Sequence, residues 1–156
     1  MTQSYLIVGG SSDIALKLGE DLLAQGYALT LLARDTSRTN DLAAKGAIVV
    51  EGDALDKEAV QKAVDTAKEA GDGTLSGVAH LVGSLVLRPP HALALDAFNE
   101  VLHTNLSSAF LTLSIASKTM LRSGGGRLVF TSSVAASQGL LNHEAMAAAK
   151  LSLIHI

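Results

Sequence analysis

The chain has 156 residues, room for one domain with a substantial core and too few for two. Hydrophobic residues make up 48% and charged residues 17%, which excludes intrinsic disorder; a net charge of −3, no Lys/Arg-rich run and 3% aromatics argue against a nucleic-acid partner. The absence of cysteine excludes disulfides and thiolate chemistry, and no apolar run reaches the roughly 18 residues of a membrane span.

Short apolar runs alternate with longer amphipathic ones, the pattern of parallel βα units. YLIVGG (5–10) is predicted as a buried strand ending in glycines, followed by a helix over 13–25 that Gly26 closes. YALTLLA (27–33) is the second strand, with a short helix over 37–45, and GAIVVEGD (46–53) is the third, with a helix over 57–70. GVAHLVG (77–83) reads as strand four, Arg88-Pro89-Pro90 breaks the chain, and one long helix is expected over 95–122. After Ser123-Gly124-Gly125-Gly126 comes strand five, RLVFTSS (127–133), and a loop to Asn142, the expected N-cap of a last helix. The whole is read as a doubly wound parallel α/β sheet, in which ligands bind beyond the carboxyl ends of the strands. Strand one starts almost at Met1 and leaves no room for a signal peptide, so a cytoplasmic location is expected.

The first strand meets the first helix through Val8-Gly9-Gly10-Ser11-Ser12-Asp13-Ile14-Ala15. Gly9 permits a tight turn, and the small residues after it let backbone N–H groups approach a pyrophosphate at the helix N-terminus. Glycine-rich turns are common, but one placed between strand and helix at the head of a βα series points to nucleotide binding through Gly9, Ser11, Ser12, Asp13 and Ile14.

This turn resembles the fingerprint Thr-Gly-x-x-x-Gly-x-Gly of the short-chain dehydrogenase/reductase family, with Gly9 kept, Asp13 in place of the middle glycine and Ala15 in place of the last. The resemblance implies a Rossmann fold and a nicotinamide cofactor. After strand two, Ala33 offers no carboxylate to ribose hydroxyls, whereas Arg34 can pair with a 2′-phosphate; this favours NADP, with NAD possible, unless Arg34 is simply a solvated loop residue. Asp53 stands where the family has an adenine-contacting aspartate, and it equally suits the start of the next helix. Gly83 closes strand four at the family's glycine position.

The family's reaction is carried by an asparagine in the long helix, a serine after strand five, and Tyr-x-x-x-Lys. Asn105, Ser133 and Lys150 match the first, second and last of these. The resemblance gives Asn105 a proton relay, Ser133 the substrate carbonyl and Lys150 the nicotinamide ribose. Counting 13 residues on from Ser133, or four back from Lys150, reaches position 146, but the residue there is Met146, whose thioether donates no proton. The divergent enoyl-thioester reductase branch carries Tyr-x-x-Met-x-x-x-Lys instead, which aligns Met146 and Lys150 and puts His143 at the tyrosine position. That branch also has a His-x-x-Gly pattern where this chain has His80-Leu81-Val82-Gly83. His143 is therefore either a replacement acid, two helical turns from Lys150, or an exposed first-turn residue.

The resemblance covers 5–150, and the later strands and helices of the family have no counterpart, so the Rossmann domain 1–150 is expected to be truncated after strand five. The tail 151–156 (LSLIHI) is expected to be a non-native scar, since codons that encode it match a transposon-end sequencing adaptor. The parent protein is then expected to be an NAD(P)H-dependent oxidoreductase acting on a small-molecule carbonyl or activated C=C, and a homo-oligomer through the helix after Asn142. The alternatives are a non-catalytic nucleotide-binding domain, or an inactive fragment.

Overall fold

The computed structural model describes residues 2–156. Five parallel strands, β1 (Ser4–Val8), β2 (Ala28–Ala33), β3 (Ile48–Glu51), β4 (Gly77–His80) and β5 (Arg127–Phe130), form one sheet in the order β3-β2-β1-β4-β5. The crossovers are α1 (Asp13–Ala24), α2 (Asn40–Ala44), α3 (Lys57–Ala70), and the pair α4 (Leu95–Leu102) and α5 (Ser108–Arg122); α6 (Glu144–His155) follows β5. This is the expected doubly wound sheet, and its order reverses between β1 and β4.

Alternation along the strands divides the core. Leu6, Val8 and Leu32 face α3 and α5, where they meet Val60, Val64, Ile115 and Met120; Ile7, Leu29 and Leu31 face the opposite layer with Ala15 and Leu42. Burying one such side chain contributes about 1.5–3 kcal/mol, so these two faces dominate the stability of the fold. A third, smaller cluster joins α4 to α6 through Val101, Ala145, Met146 and Ala149. Helix starts follow local chemistry: the Ser12 hydroxyl accepts from Ala15 N–H at the head of α1, and the Asp56 carboxylate accepts from Glu58 N–H at the head of α3. Gly26, at φ +79°, ends α1 as predicted.

Three expectations are corrected. Strand β4 stops at His80, because Leu81 N–H makes the last bond to β1, with the Val8 carbonyl, and residues 81–83 then leave the sheet. The single helix over 95–122 is interrupted by a π-helical stretch, His103–Ser107, around the buried Asn105. Asn142 is not the cap of α6: it adopts φ +63°, and His143 takes the cap position without a side-chain cap bond. Helix α6 runs on through residues 151–155, with Leu153 buried. No helix among the described residues is long and apolar enough to cross a membrane.

Thr30 is fully buried on β2, and its Oγ1 has no hydrogen-bond partner. An unsatisfied buried hydroxyl is destabilising, so Thr30→Val should raise the unfolding free energy by about 1 kcal/mol. Urea denaturation measures this, and a loss of stability would mean that the hydroxyl is bonded after all.

Candidate functional site

Parallel strands in register bring their carboxyl ends to one edge. Val8 pairs with Leu32 on one side and His80 on the other, so the turn after β1, the end of β2 and the exit of β4 open together. A cleft of about 340 Å³ lies there, between the Gly9–Ser12 side of the turn, Arg34, the segment 52–55 and the segment 81–83. Gly9, at φ +89°, has no room for a side chain: a Cβ would sit 3.1 Å from Val82 and from the Leu81 backbone. Gly9 and Gly10 N–H both donate to the Leu32 carbonyl, at 3.0 and 2.9 Å, which pins the turn to β2. Ser11 and Ser12 line the cleft; the Ser12 hydroxyl is committed to Ala15 N–H, and the other first-turn N–H groups lack intrahelical partners as at any helix start.

Charge gathers at one corner of this cleft. Arg34 and Asp53, predicted separately, face each other with Nη1 to Oδ2 at 3.6 Å, both substantially exposed. Arg38, absent from the sequence-based candidates, donates to the Ser11 carbonyl at 2.9 Å and to the Asp13 carboxylate. The negative charge that Asp13 brings to the turn is thus matched by a guanidinium from the segment after β2. Asp35, also lining the cleft, is held below the usual carboxylate range by the Ser37 hydroxyl and N–H. Ile14 is 66% exposed on α1 and, like Asp13, does not line the cleft. Arg38 sits four residues beyond Arg34, and nothing in its local sequence separates it from a solvated arginine.

At the other end the structure joins three predicted residues. Asn105 is fully buried: its Oδ1 accepts from Ser84 N–H at 3.2 Å, and its Nδ2 donates to the Ser84 carbonyl and hydroxyl and to the Val101 carbonyl. The amide thereby fixes the chain leaving β4. A Cβ on Gly83 would stand 3.1 Å from Asn105 Oδ1 and 3.6 Å from Lys150 Nζ, so the missing side chain is what lets these groups share one wall. Lys150 is only 5% exposed, and its Nζ donates to the Thr131 carbonyl at 3.0 Å. Ser132 Oγ donates to the Lys150 carbonyl at 3.0 Å, so the strand exit grips α6 at both ends of this residue. No carboxylate pairs with this ammonium among the described residues, and burial lowers its pKa from 10.5.

Ser133 follows in the same exit, where its Oγ accepts from Ala135 N–H at 3.2 Å and its O–H remains available to donate. His143 Nδ1 lies 2.8 Å from the Leu141 carbonyl, an acceptor that requires the proton on Nδ1. Nε2 can then give up a proton only from the imidazolium form. Met146 is 7% exposed and packs in the α4–α6 cluster with Val101 and Ala149.

Comparison with known proteins gives a consistent relationship. A family model described as "short chain dehydrogenase" matches residues 3–156. The chain is 30% identical over 154 residues to the 3-oxoacyl-[acyl-carrier-protein] reductase MabA of Mycobacterium tuberculosis, covering 99% of this chain and 60% of the relative. It is 29% identical over 136 residues to a tropinone reductase homolog of Arabidopsis thaliana, covering 83% of this chain and 51% of the relative. Among solved structures, levodione reductase superposes with a TM-score of 0.89 at 25% identity, covering 98% of this chain and 62% of that one. A short-chain type dehydrogenase/reductase from Mycobacterium ulcerans gives 0.88 at 27%, covering 99% and 61%. The chain therefore spans about three fifths of the length of the curated reductase it matches over 99% of its own residues.

The buried ammonium has a pH signature. Below its lowered folded pKa, Lys150 is charged in both states; between that value and 10.5 the unfolded chain holds more protons, so stability rises with pH through the window. Lys150→Met should be more stable than wild type near neutral pH, and the gap should close as pH approaches 10.5. Urea titrations across that range measure it; a gap independent of pH would contradict a buried charge.

Proposed function

The chain belongs to the short-chain dehydrogenase family, and from that premise we propose that it serves an oxidoreductase that binds a nicotinamide dinucleotide across the β1–β4 switch point and acts on a carbonyl or activated C=C. The observation that carries this reading is the pair of side-chain-free approaches, Gly9 against Leu81 and Val82 and Gly83 against Asn105 and Lys150, both along the wall that the 81–83 segment gives the cleft. A pyrophosphate fits at the turn after Gly9, and the nicotinamide ribose at Gly83 beside the Lys150 ammonium. When bound, the dinucleotide gives or takes the hydride. Ser133 would direct its hydroxyl to the substrate oxygen, Lys150 would hold the ribose, and Asn105 would keep the backbone at Ser84 in place.

NADP is the preferred cofactor in this reading, with NAD the alternative. Ala33 presents no carboxylate to a ribose 2′-hydroxyl, and Arg34 and Arg38 supply two guanidinium groups at the same corner. Among the relatives, the names of the 3-oxoacyl reductase and levodione reductase both specify carbonyl compounds, which makes ketones the first substrates to try. His143 is the candidate acid, since Met146 cannot donate. Exposed apolar side chains on α5, Phe110 and Leu121, support a homo-oligomer of the whole protein.

A second reading, a dinucleotide-binding domain without turnover, is favoured by one observation: Met146 is packed into the α4–α6 cluster where the family's tyrosine would act. Binding of NADPH, followed by its fluorescence, together with oxidation in the presence of ketones or enoyl thioesters supports the enzyme; binding without oxidation supports the second reading. Arg34→Ala and Arg38→Ala should each weaken adenosine 2′,5′-bisphosphate by about fivefold to tenfold, the worth of one exposed charge-assisted contact, and leave adenosine 5′-monophosphate within about twofold. Calorimetry reads both, and equal losses would place the arginines away from the 2′-phosphate. His143→Ala should lower turnover by about 100-fold or more with cofactor affinity retained, as expected for loss of a general acid; unchanged turnover would remove His143 from the reaction.

A further inference from the structure

His80 ends β4 with its ring turned inward, 1% exposed, in a position that the proposed reaction does not use. Its Nδ1 lies 3.1 Å from Thr112 Oγ1, and its Nε2 lies 3.1 Å from Ser108 Oγ, both on α5. The Ser108 hydroxyl also donates to the Thr104 carbonyl at 2.6 Å. A hydroxyl has one hydrogen to give. Ser108 spends it on Thr104, so it accepts from His80 Nε2–H, and Nδ1 is left to accept from Thr112 O–H. One neutral tautomer satisfies every member of the set. Burial, and secondarily the charge of Lys150, lower the His80 pKa to about 4, which agrees with a neutral ring.

The network ends on the π-helical stretch. Ser108 N–H reaches back five residues to the His103 carbonyl, so the Thr104 carbonyl, which an α-helical Ser108 N–H would have taken, receives the Ser108 hydroxyl instead. Three residues earlier in the same face, the Val101 carbonyl receives Asn105 Nδ2. The Ser108 hydroxyl thus supplies the bond that the widened turn gives up at Thr104, and the Asn105 amide adds a second side-chain bond to the same stretch. Of these, Ser108 has its hydroxyl oriented by His80, and Thr104 and Ser108 both line the cleft next to Gly83.

We propose that His80 is a positioning residue: by fixing the Ser108 and Thr112 hydroxyls it holds the π-helical turn, and with it the setting of Asn105, Ser84 and Gly83 against Lys150 at the nicotinamide end of the cleft. The inference rests on the dinucleotide reading above. An apolar residue at position 80 would leave the Thr112 hydroxyl buried without its partner and the Ser108 hydroxyl free to turn away from Thr104. The corner that holds Arg34 and Arg38 follows β2, across β1 from β4, and has no hydrogen bond to this network.

The test separates the two ends of the cleft. Wild type, His80→Leu and His80→Gln are compared for binding of NADPH, read by dihydronicotinamide fluorescence, and of adenosine 2′,5′-bisphosphate, read by calorimetry. In parallel, hydrogen exchange is followed in the π-helical turn and in α3. His80→Leu should weaken NADPH by about tenfold and abolish its fluorescence change, leave the bisphosphate within about twofold, and speed exchange at the turn but not in α3. His80→Gln, which can still donate and accept, should recover part of each effect. Should His80→Leu not fold, Ser108→Ala carries the same comparison. Equal losses for both ligands, exchange that rises equally in α3, or no change at all would overturn the proposal. If the wild type binds neither ligand, the dinucleotide reading fails and this proposal with it, whereas binding by the wild type followed by equal losses overturns the role of His80 alone.

Discussion

A parallel sheet sends every strand end to the same edge, and each return path must run the length of a crossover. In this chain that constraint places the exits of β1, β2, β3, β4 and β5 along one rim. The order reversal between β1 and β4 then parts the crossovers, sending α1 and α2 to one face and α3 and α5 to the other. The crevice at the parting needs no further architecture. What remains for the sequence is to keep it open, and it does so by omission: Gly9 and Gly83 lack the side chains that would fill it.

The two ends of that crevice are held by different physics. At the arginine corner the contacts are exposed ion pairs, Arg34 with Asp53 and Arg38 with Asp13, each worth at most about 1 kcal/mol in water. Such pairs exchange partners readily, so this corner can adapt. Around Asn105 the contacts are buried, and every polar atom there has its bond: the amide with Ser84 and Val101, His80 with Ser108 and Thr112. Breaking one of these strands a partner in low dielectric, so this end is rigid. The cleft therefore couples an adaptable corner to a fixed one.

The strands were legible because apolar runs bounded by glycine carry a local signal, and a doubly wound sheet was expected from their alternation with helices; the order β3-β2-β1-β4-β5 came from the structure. Gly9, Asn105, Ser133 and Lys150 could be named from motif spacing. The features that escaped are those whose cause lies far along the chain. The π-helical stretch depends on Asn105 finding Ser84, 21 residues earlier, and on Ser108 meeting His80, 28 residues away. Helix periodicity over 95–122 is blind to both. Arg38 meets Asp13 across 25 residues, and neither position stands out alone. The misplaced cap has a local cause: Asn142 is a good cap by composition, but it tolerates a left-handed backbone even better than most residues, and at φ +63° it turns the chain one residue before the helix starts.

Met146 sharpens what any reaction here must do. In the register that aligns Ser133 and Lys150 it occupies the place of a proton donor, yet its side chain is built into the contact between α6 and α4 with Val101, Ala145 and Ala149. A phenol in that packing would need a polar partner for its hydroxyl, which the apolar cluster does not contain. The register that aligns Met146 itself, with His143 seven positions before Lys150, asks for no such repacking: the methionine stays in the cluster, and the imidazole stands at the helix start, half-buried, with Nδ1 tied to the Leu141 carbonyl. With Nδ1–H committed to that carbonyl, any proton that Nε2 gives up is the second on the ring, so a reaction through His143 would have to return that proton after each donation.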